Sequence, residues 1–210
     1  MKLIMPCLIL CMSVVYIWII PEDPLAVKLL FKLIPMWLII AYTYLQSPQQ
    51  RKRSHWLLLS GLFFCMLGDG LLVWFIVGLT AFLIGHLFYL FAFLNVWRYS
   101  MLRLLTIIPL TLYAVFMASR LLPAVKAGGD DALVIPVLVY LIVISLMCWA
   151  AIMTGSKLAM GGSVLFVISD SVLAWNMFVS DVTYSSICIM ATYYGAQFLI
   201  ARSAKSIAGT

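Results

Sequence analysis

Apolar runs of about twenty residues, each closed by a short polar break, repeat along this chain from one end to the other. Eight are read, over residues 3–20, 25–45, 56–74, 77–96, 103–119, 132–152, 159–177 and 182–201. Roughly 17–25 apolar residues in helical form cross a bilayer core of about 30 Å, and in hydrocarbon a helix satisfies its own backbone. The pattern therefore predicts an all-α fold, a polytopic transmembrane bundle of about eight helices. Breaks such as Pro21 to Pro24 and Met177 to Asp181 are too short to fold by themselves, so residues 1–210 read as one membrane domain. The first run follows Lys2 but lacks a small-residue cleavage pattern and leads straight into the next, which makes it a retained helix rather than a signal peptide.

Composition agrees with that reading. Of 210 residues, 66% are hydrophobic and only 10% charged, with a mean hydropathy of +1.15, beyond what a soluble domain of this size buries. The charges are sorted by side. If the helices alternate, one side receives Lys2, Arg51, Lys52, Arg53, Arg98, Arg103, Lys157, Arg202 and Lys205 and no acid. The other side holds Arg120 and Lys126 against Glu22, Asp23, Asp130, Asp131 and Asp181. The positive-inside rule then puts both termini in the cytoplasm. The net charge of +6 forms a rim beside anionic lipid headgroups, so membrane lipid is the expected partner and nucleic acid is not. A multi-pass protein of a bacterial inner (cell) membrane is the expected setting, given the short loops and the absence of a targeting extension.

Against this background two acids stand out, Asp69 in FFCMLGDGLLVWF and Asp170 in SVLFVISDSVLAW, with no base near either in sequence. A carboxylate in hydrocarbon is costly, and an intramembrane acid is a functional-site hypothesis by default. The helical rise of about 1.5 Å per residue places Asp69 about 20 Å in from the cytoplasmic edge at Trp56, and Asp170 about 16 Å in from Ala159. By the same measure His86 lies about 14 Å, and Lys32 about 10 Å, from the opposite edge. All four fall in one slab between the midplane and the outer half, which predicts a shared polar cavity. Other polar positions share helix faces that should point inward. Gly78, Phe82, Gly85 and Tyr89 form one stripe beside His86; Ser186, Tyr193 and Gln197 form another with Tyr194 on its flank; Ser169 and Asn176 lie two turns apart beside Asp170.

Each of these residues also has a structural explanation. Gly68 and Gly70 would let the helix loosen around Asp69, whose carboxylate would then cap freed amides. Lys32 would snorkel to the outer interface, and His86 would simply bond a neighbour. Tyr193, Tyr194, Gln197 and Asn176 would be interhelical glue. His55, beside the arginine-rich break, is expected to be a solvated interfacial residue. Cys7, Cys11, Cys65, Cys148 and Cys188 all fall in apolar runs without CxxC spacing and are expected to be buried small hydrophobes.

Four blocks, GLFFCMLGDGLL, GLTAFLIGHLFYLFAF, GGSVLFVISDSVLAWNMF and YYGAQFLIARS, together resemble the YhhN-like lysoplasmalogenases in order and spacing, from the second helix to the last. The resemblance implies a polytopic hydrolase acting on the vinyl ether bond of a lysoplasmalogen, an alkenylglycerophosphocholine or alkenylglycerophosphoethanolamine, which releases a fatty aldehyde and a glycerophospho-amine. It marks Asp69, His86, Tyr89, Asp170, Tyr194 and Gln197. Lys32 matches a lysine usually followed directly by proline, whereas here the sequence is FKLIP with Pro35 displaced.

The residues suit that chemistry. Vinyl ethers hydrolyse after protonation of an alkene carbon, which gives an oxocarbenium ion that water captures as a hemiacetal. Two carboxyls in one low-dielectric cavity do not both ionise cheaply, so one would keep its proton as general acid, while the other would stabilise the cation and orient or deprotonate water. Asp69 and Asp170 are the expected acid and base in either order, and His86 would relay a proton or orient an aspartate. Lys32 would bind the substrate phosphate, Tyr194 and Gln197 water or the glycerol hydroxyl, with Tyr89, Asn176 and Tyr193 as further substrate contacts. No cofactor or metal is expected. An intramembrane aspartyl protease is disfavoured because its GxGD motif would need glycine where Met66 stands, and a zinc amidase because the chain has only two histidines. The alternative is a proton-coupled transporter or lipid-binding membrane protein without hydrolase activity.

Overall fold

The computed structural model describes residues 4–21, 23–46 and 52–208, all helix and connecting turns with no strand among them. The elements are α1 (Ile4–Trp18), α2 (Leu25–Leu45), α3 (Arg53–Leu71), α4 (Phe75–Leu94), the short α5 (Met101–Leu104), α6 (Ile107–Ala127), α7 (Val134–Met153), α8 (Lys157–Phe178) and α9 (Ser185–Ala208). A single 3₁₀ turn, Asp131–Leu133, leads into α7. Lys2, Glu22 and Arg51, which enter the charge count, lie outside the described residues.

Among the described helices, α2, α3, α4, the α5–α6 stretch, α7 and α8 are long and apolar enough to cross a membrane. This is an integral, multi-pass membrane protein. α1 is apolar but only 15 residues long, and α9, with Ser185, Ser186, Tyr193, Tyr194 and Gln197 in its sequence, is not one of the six.

The fifth expected span, 103–119, differs most. Pro109 has no amide to return to the Leu105 carbonyl, and the helix breaks there into α5 and α6. At its other end α6 runs on to Ala127. It carries Arg120 and Lys126 on an exposed face, with the Arg120 guanidinium 5.8 Å from the Phe116 ring centroid. Hydropathy falls at the first charge, whereas a helix continues as long as its side chains can reach water.

Glycines set the two tightest helix crossings. A Cβ on Gly85 of α4 would stand 3.1 Å from the Gly61 carbonyl oxygen and 3.2 Å from the Cys65 amide nitrogen of α3. One on Gly162 of α8 would meet the Ala196 carbonyl oxygen and the Ile200 amide nitrogen of α9, each at 2.9 Å. Such close approach of backbones is how helices associate in lipid, where apolar side chains gain little by leaving hydrocarbon. The predicted stripe of α4 is correct: Gly78, Phe82, Gly85 and Tyr89 are all buried. Around these crossings a continuous core includes Met36 and Ile39 from α2, Leu62 from α3, Phe93 from α4, Met147 from α7 and Ile200 from α9. α6 is peripheral; its Met117 and Leu121 pack on Val137 and Leu141 of α7.

Contacts between turns fix which ends lie together. Arg98 donates its amide to the Met153 carbonyl at 3.1 Å, and the Arg103 guanidinium donates to the same oxygen at 3.0 Å. The α7–α8 turn closes through Gly155 at φ +74°, a left-handed conformation that favours glycine, and a Cβ there would collide with the Arg103 guanidinium at 2.6 Å. At the opposite end the Phe75 and Phe178 rings meet at 5.7 Å, so the α3–α4 and α8–α9 turns are neighbours.

Two expectations fail. His55 is 2% exposed rather than solvated. Cys65 and Cys148 are buried, but Cys7, Cys11 and Cys188 are exposed on the helix surface; in a membrane a small apolar residue is as well placed against lipid as in the core.

Candidate functional site

A cavity of about 420 Å³ opens among α2, α3, α4, α6, α7, α8 and α9, with Tyr16 of α1 on its wall. Its lining includes residues at the bundle end that holds the α3–α4 and α8–α9 turns, such as Val73, Phe75, Phe178 and Ser185, and both intramembrane aspartates. Its walls are otherwise mostly leucine, methionine, isoleucine and aromatic side chains. Of the four groups that the depth argument gathers in one cavity, Lys32, Asp69 and Asp170 line this one and His86 does not; of the other predicted residues Asn176 and Tyr193 line it as well.

The two acids have different partners. Asp69, 3% exposed, forms an ion pair with Lys32 at 3.3 Å between Nζ and Oδ1, and the same ammonium donates to the Asp69 carbonyl at 3.4 Å. Its other oxygen accepts from the Tyr193 hydroxyl at 2.6 Å. Lys32 therefore turns inward rather than snorkelling. Its backbone is held as well: the Tyr194 hydroxyl donates to the Lys32 carbonyl at 2.8 Å, within the turn that Pro35, lacking an amide, loosens inside α2. Displacement of the proline by two residues thus leaves the lysine seated.

Asp170 is half-buried on the cavity wall. Its hydrogen bond comes from the Tyr140 hydroxyl of α7, and no salt bridge to it is formed among the described residues. Next to it on α8, Ser169 donates to the Ile189 carbonyl of α9 at 3.0 Å. Ser171 lies within 2.6 Å of the Tyr113 hydroxyl, which ties α8 to α6.

His86, Tyr89, Tyr194 and Gln197 do not line the cavity. His86 is fully buried and stands behind the wall, its ring centroid 5.3 Å from that of Tyr140 and 4.5 Å from that of Phe166. Its Nδ1 lies 2.7 Å from the Phe82 carbonyl, which only accepts; Nδ1 therefore carries the hydrogen and Nε2 a lone pair. Tyr89 donates to Gln197 Oε1 at 2.6 Å, joining α4 to α9 in the core. Neither His86 Nε2 nor Gln197 Nε2 makes a hydrogen bond among the described residues. Asn176 accepts from the Val182 amide at 2.9 Å and so holds the α8–α9 turn at the rim. Tyr16, Tyr113, Tyr140, Ser171 and Ser185 are cavity hydroxyls that the sequence reading passes over.

The fold and this chamber define a polytopic helical membrane protein with two acids facing one internal cavity. By sequence, the chain belongs to the YhhN family, whose profile matches residues 27–204. It is 33% identical over 203 residues to lysoplasmalogenase TMEM86B of Mus musculus, covering 95% of this chain and 84% of that protein. Identity to lysoplasmalogenase TMEM86B of Homo sapiens is 32% over 205 residues, 95% and 84% of the two chains. To lysoplasmalogenase TMEM86A of Homo sapiens it is 31% over 219 residues, 90% and 82%. No solved structure matches.

Proposed function

We propose that this protein is a membrane lysoplasmalogenase, a hydrolase that cleaves the vinyl ether bond of an alkenyl lysophospholipid to a fatty aldehyde and a glycerophospho-amine. The observation that carries the mechanism is that Asp69 and Asp170 line one apolar-walled cavity and, among the described residues, Asp69 is the one with a cation paired to it. Family membership and relatives that are lysoplasmalogenases support the reaction class.

The unequal partners divide the labour. With Lys32 at 3.3 Å, Asp69 is the ionised member, its charge balanced within the pair. Asp170, with a tyrosine hydroxyl as partner, takes a proton instead, because an uncompensated carboxylate among apolar walls is costly. Asp170 is the general acid: its proton passes to the alkene carbon not bonded to oxygen, and the other alkene carbon becomes part of an oxocarbenium ion. The Asp69 carboxylate faces that cation and takes a proton from the water that adds to it, giving a hemiacetal. Collapse breaks the bond to the glycerol oxygen, which takes the proton held by Asp69 and leaves as the alcohol, while the hemiacetal hydroxyl gives its proton to Asp170 as the carbon end becomes the aldehyde. One water is consumed and the two carboxyls end as they began. Tyr140 and Tyr193 position the acids, and His86 buttresses Tyr140 from behind. The alkenyl chain lies along the apolar wall, entering from the bilayer. No cofactor or metal has a part in this scheme.

The proposal extends to setting. The chain forms one membrane domain with both termini cytoplasmic, supported by the basic residues gathered at the end opposite the cavity. The cavity then faces the outer half of a bacterial inner (cell) membrane.

The test is incubation of purified protein with an alkenyl lysophospholipid and, separately, its alkyl ether analogue. Aldehyde and glycerophospho-amine should form from the first alone, because a saturated ether gives no cation by carbon protonation. Equal consumption of both would refute carbon protonation. Proton flux in proteoliposomes with no aldehyde would favour a transporter instead.

A further inference from the structure

Residues Leu25, Lys28, Leu29 and Lys32 follow the spacing of one helix face, and all four line the cavity from α2. Lys32 is committed to Asp69, through both its carboxylate and its carbonyl. Lys28 stands one turn closer to the start of α2, half-buried, toward the bundle end where α9 also begins. Ser185 and Ser186, in the first turn of α9, line the same cavity.

Asp69 and Asp170 are the acids among the lining residues, so the cavity is basic and hydroxyl-bearing toward its rim and acidic further in. A lysophospholipid carries one permanent anion, its phosphodiester, and an anion entering apolar walls needs a cation beside it. We propose that Lys28, with the Ser185 and Ser186 hydroxyls, binds the phosphodiester of the substrate, in place of the Lys32 contact expected from sequence. The inference rests on the lysoplasmalogenase reading and adds to it the substrate's direction and register.

Register follows from length. Four residues of helix separate Lys28 from Lys32, a rise of about 6 Å. In a glycerophospholipid the phosphorus lies five bonds from the sn-1 oxygen, a reach of about 6 Å at ordinary bond lengths. A phosphate at Lys28 therefore puts the vinyl ether level with the Lys32–Asp69 pair, between the two carboxyls. A phosphate at Lys32 would pull the counter-ion from Asp69 and carry the ether past the acids.

Steady-state kinetics of Lys28→Gln on an alkenylglycerophosphoethanolamine and on the phosphate-free alkenylglycerol, in the same mixed micelles, test the site. KM for the phospholipid should rise about tenfold at a nearly constant kcat, while KM for the alkenylglycerol stays put. Lys28→Arg, which keeps the charge, should recover most of the lost affinity. Glycerophosphoethanolamine should inhibit wild type competitively and Lys28→Gln more weakly. Equal inhibition by inorganic phosphate would mark a free-anion site and overturn the headgroup assignment, as would an equal change, or none, on the two substrates, or failure of arginine to rescue. If wild type releases no aldehyde from either substrate, the lysoplasmalogenase reading itself fails; an active wild type with an indifferent Lys28→Gln overturns only the role of Lys28.

Discussion

Asp170→Asn should lower kcat for aldehyde release by a hundredfold or more, at an unchanged yield of membrane-inserted, monodisperse protein. General acid catalysis contributes roughly 10²–10⁴ to a rate, and an amide at this position has no proton to give to carbon. The substitution is nearly isosteric and the Tyr140 hydroxyl can donate to the amide oxygen, so the α7–α8 contact survives. Asp69→Asn should be as inactive for another reason: it keeps the Tyr193 hydrogen bond but loses the negative charge that faces the oxocarbenium ion, and it strips Lys32 of its counter-ion. Aldehyde production by purified variants, normalised to folded protein by size-exclusion chromatography, checks both. Substantial activity in either would remove the two-carboxyl scheme.

The second large effect falls on stability. Lys32→Met leaves Asp69, 3% exposed, without its cation, and breaking a buried pair from one side costs about 3–5 kcal/mol. The variant should unfold at markedly lower temperature in detergent and be inactive. Adding Asp69→Leu removes the orphaned carboxylate, and the double variant should regain most of the thermal stability and none of the activity, because replacing both partners by apolar groups is close to neutral. Recovery of activity along with stability would mean that the pair only holds helices together. Failure to regain stability would mean that Lys32 is held chiefly by other contacts.

Helix positions and the cavity were legible in the sequence because both follow from fixed physical lengths. Bilayer thickness sets the run length, and helical rise converts residue number into depth. That conversion brings Lys32, Asp69 and Asp170 to one chamber although Lys32 and Asp69 are 37 residues apart. Depth alone does not say which way a side chain points. His86 shares the slab but lies a layer back, packed on the Tyr140 and Phe166 rings instead of facing the cavity, and Tyr89 and Gln197 bond each other in the core. Tyr140 sits in VIPVLVYLIVISLMCW, apolar on every face, and no periodicity marks its inward side. The end of α6 escapes for a related reason: hydropathy reports where hydrocarbon stops, and the helix does not stop there. His55 shows the converse, a polar residue near a basic break that packing nevertheless buries.

The mechanism depends on a single proton, held by Asp170 while Asp69 is ionised beside Lys32. Infrared spectroscopy of the purified protein at neutral pH, in a detergent free of ester groups, reads that proton directly through the carbonyl stretch of a protonated carboxyl. Wild type should show the band, Asp69→Asn should keep it, and Asp170→Asn should lack it. A band that persists in Asp170→Asn and vanishes in Asp69→Asn, or none in wild type, would contradict the assignment of acid and base.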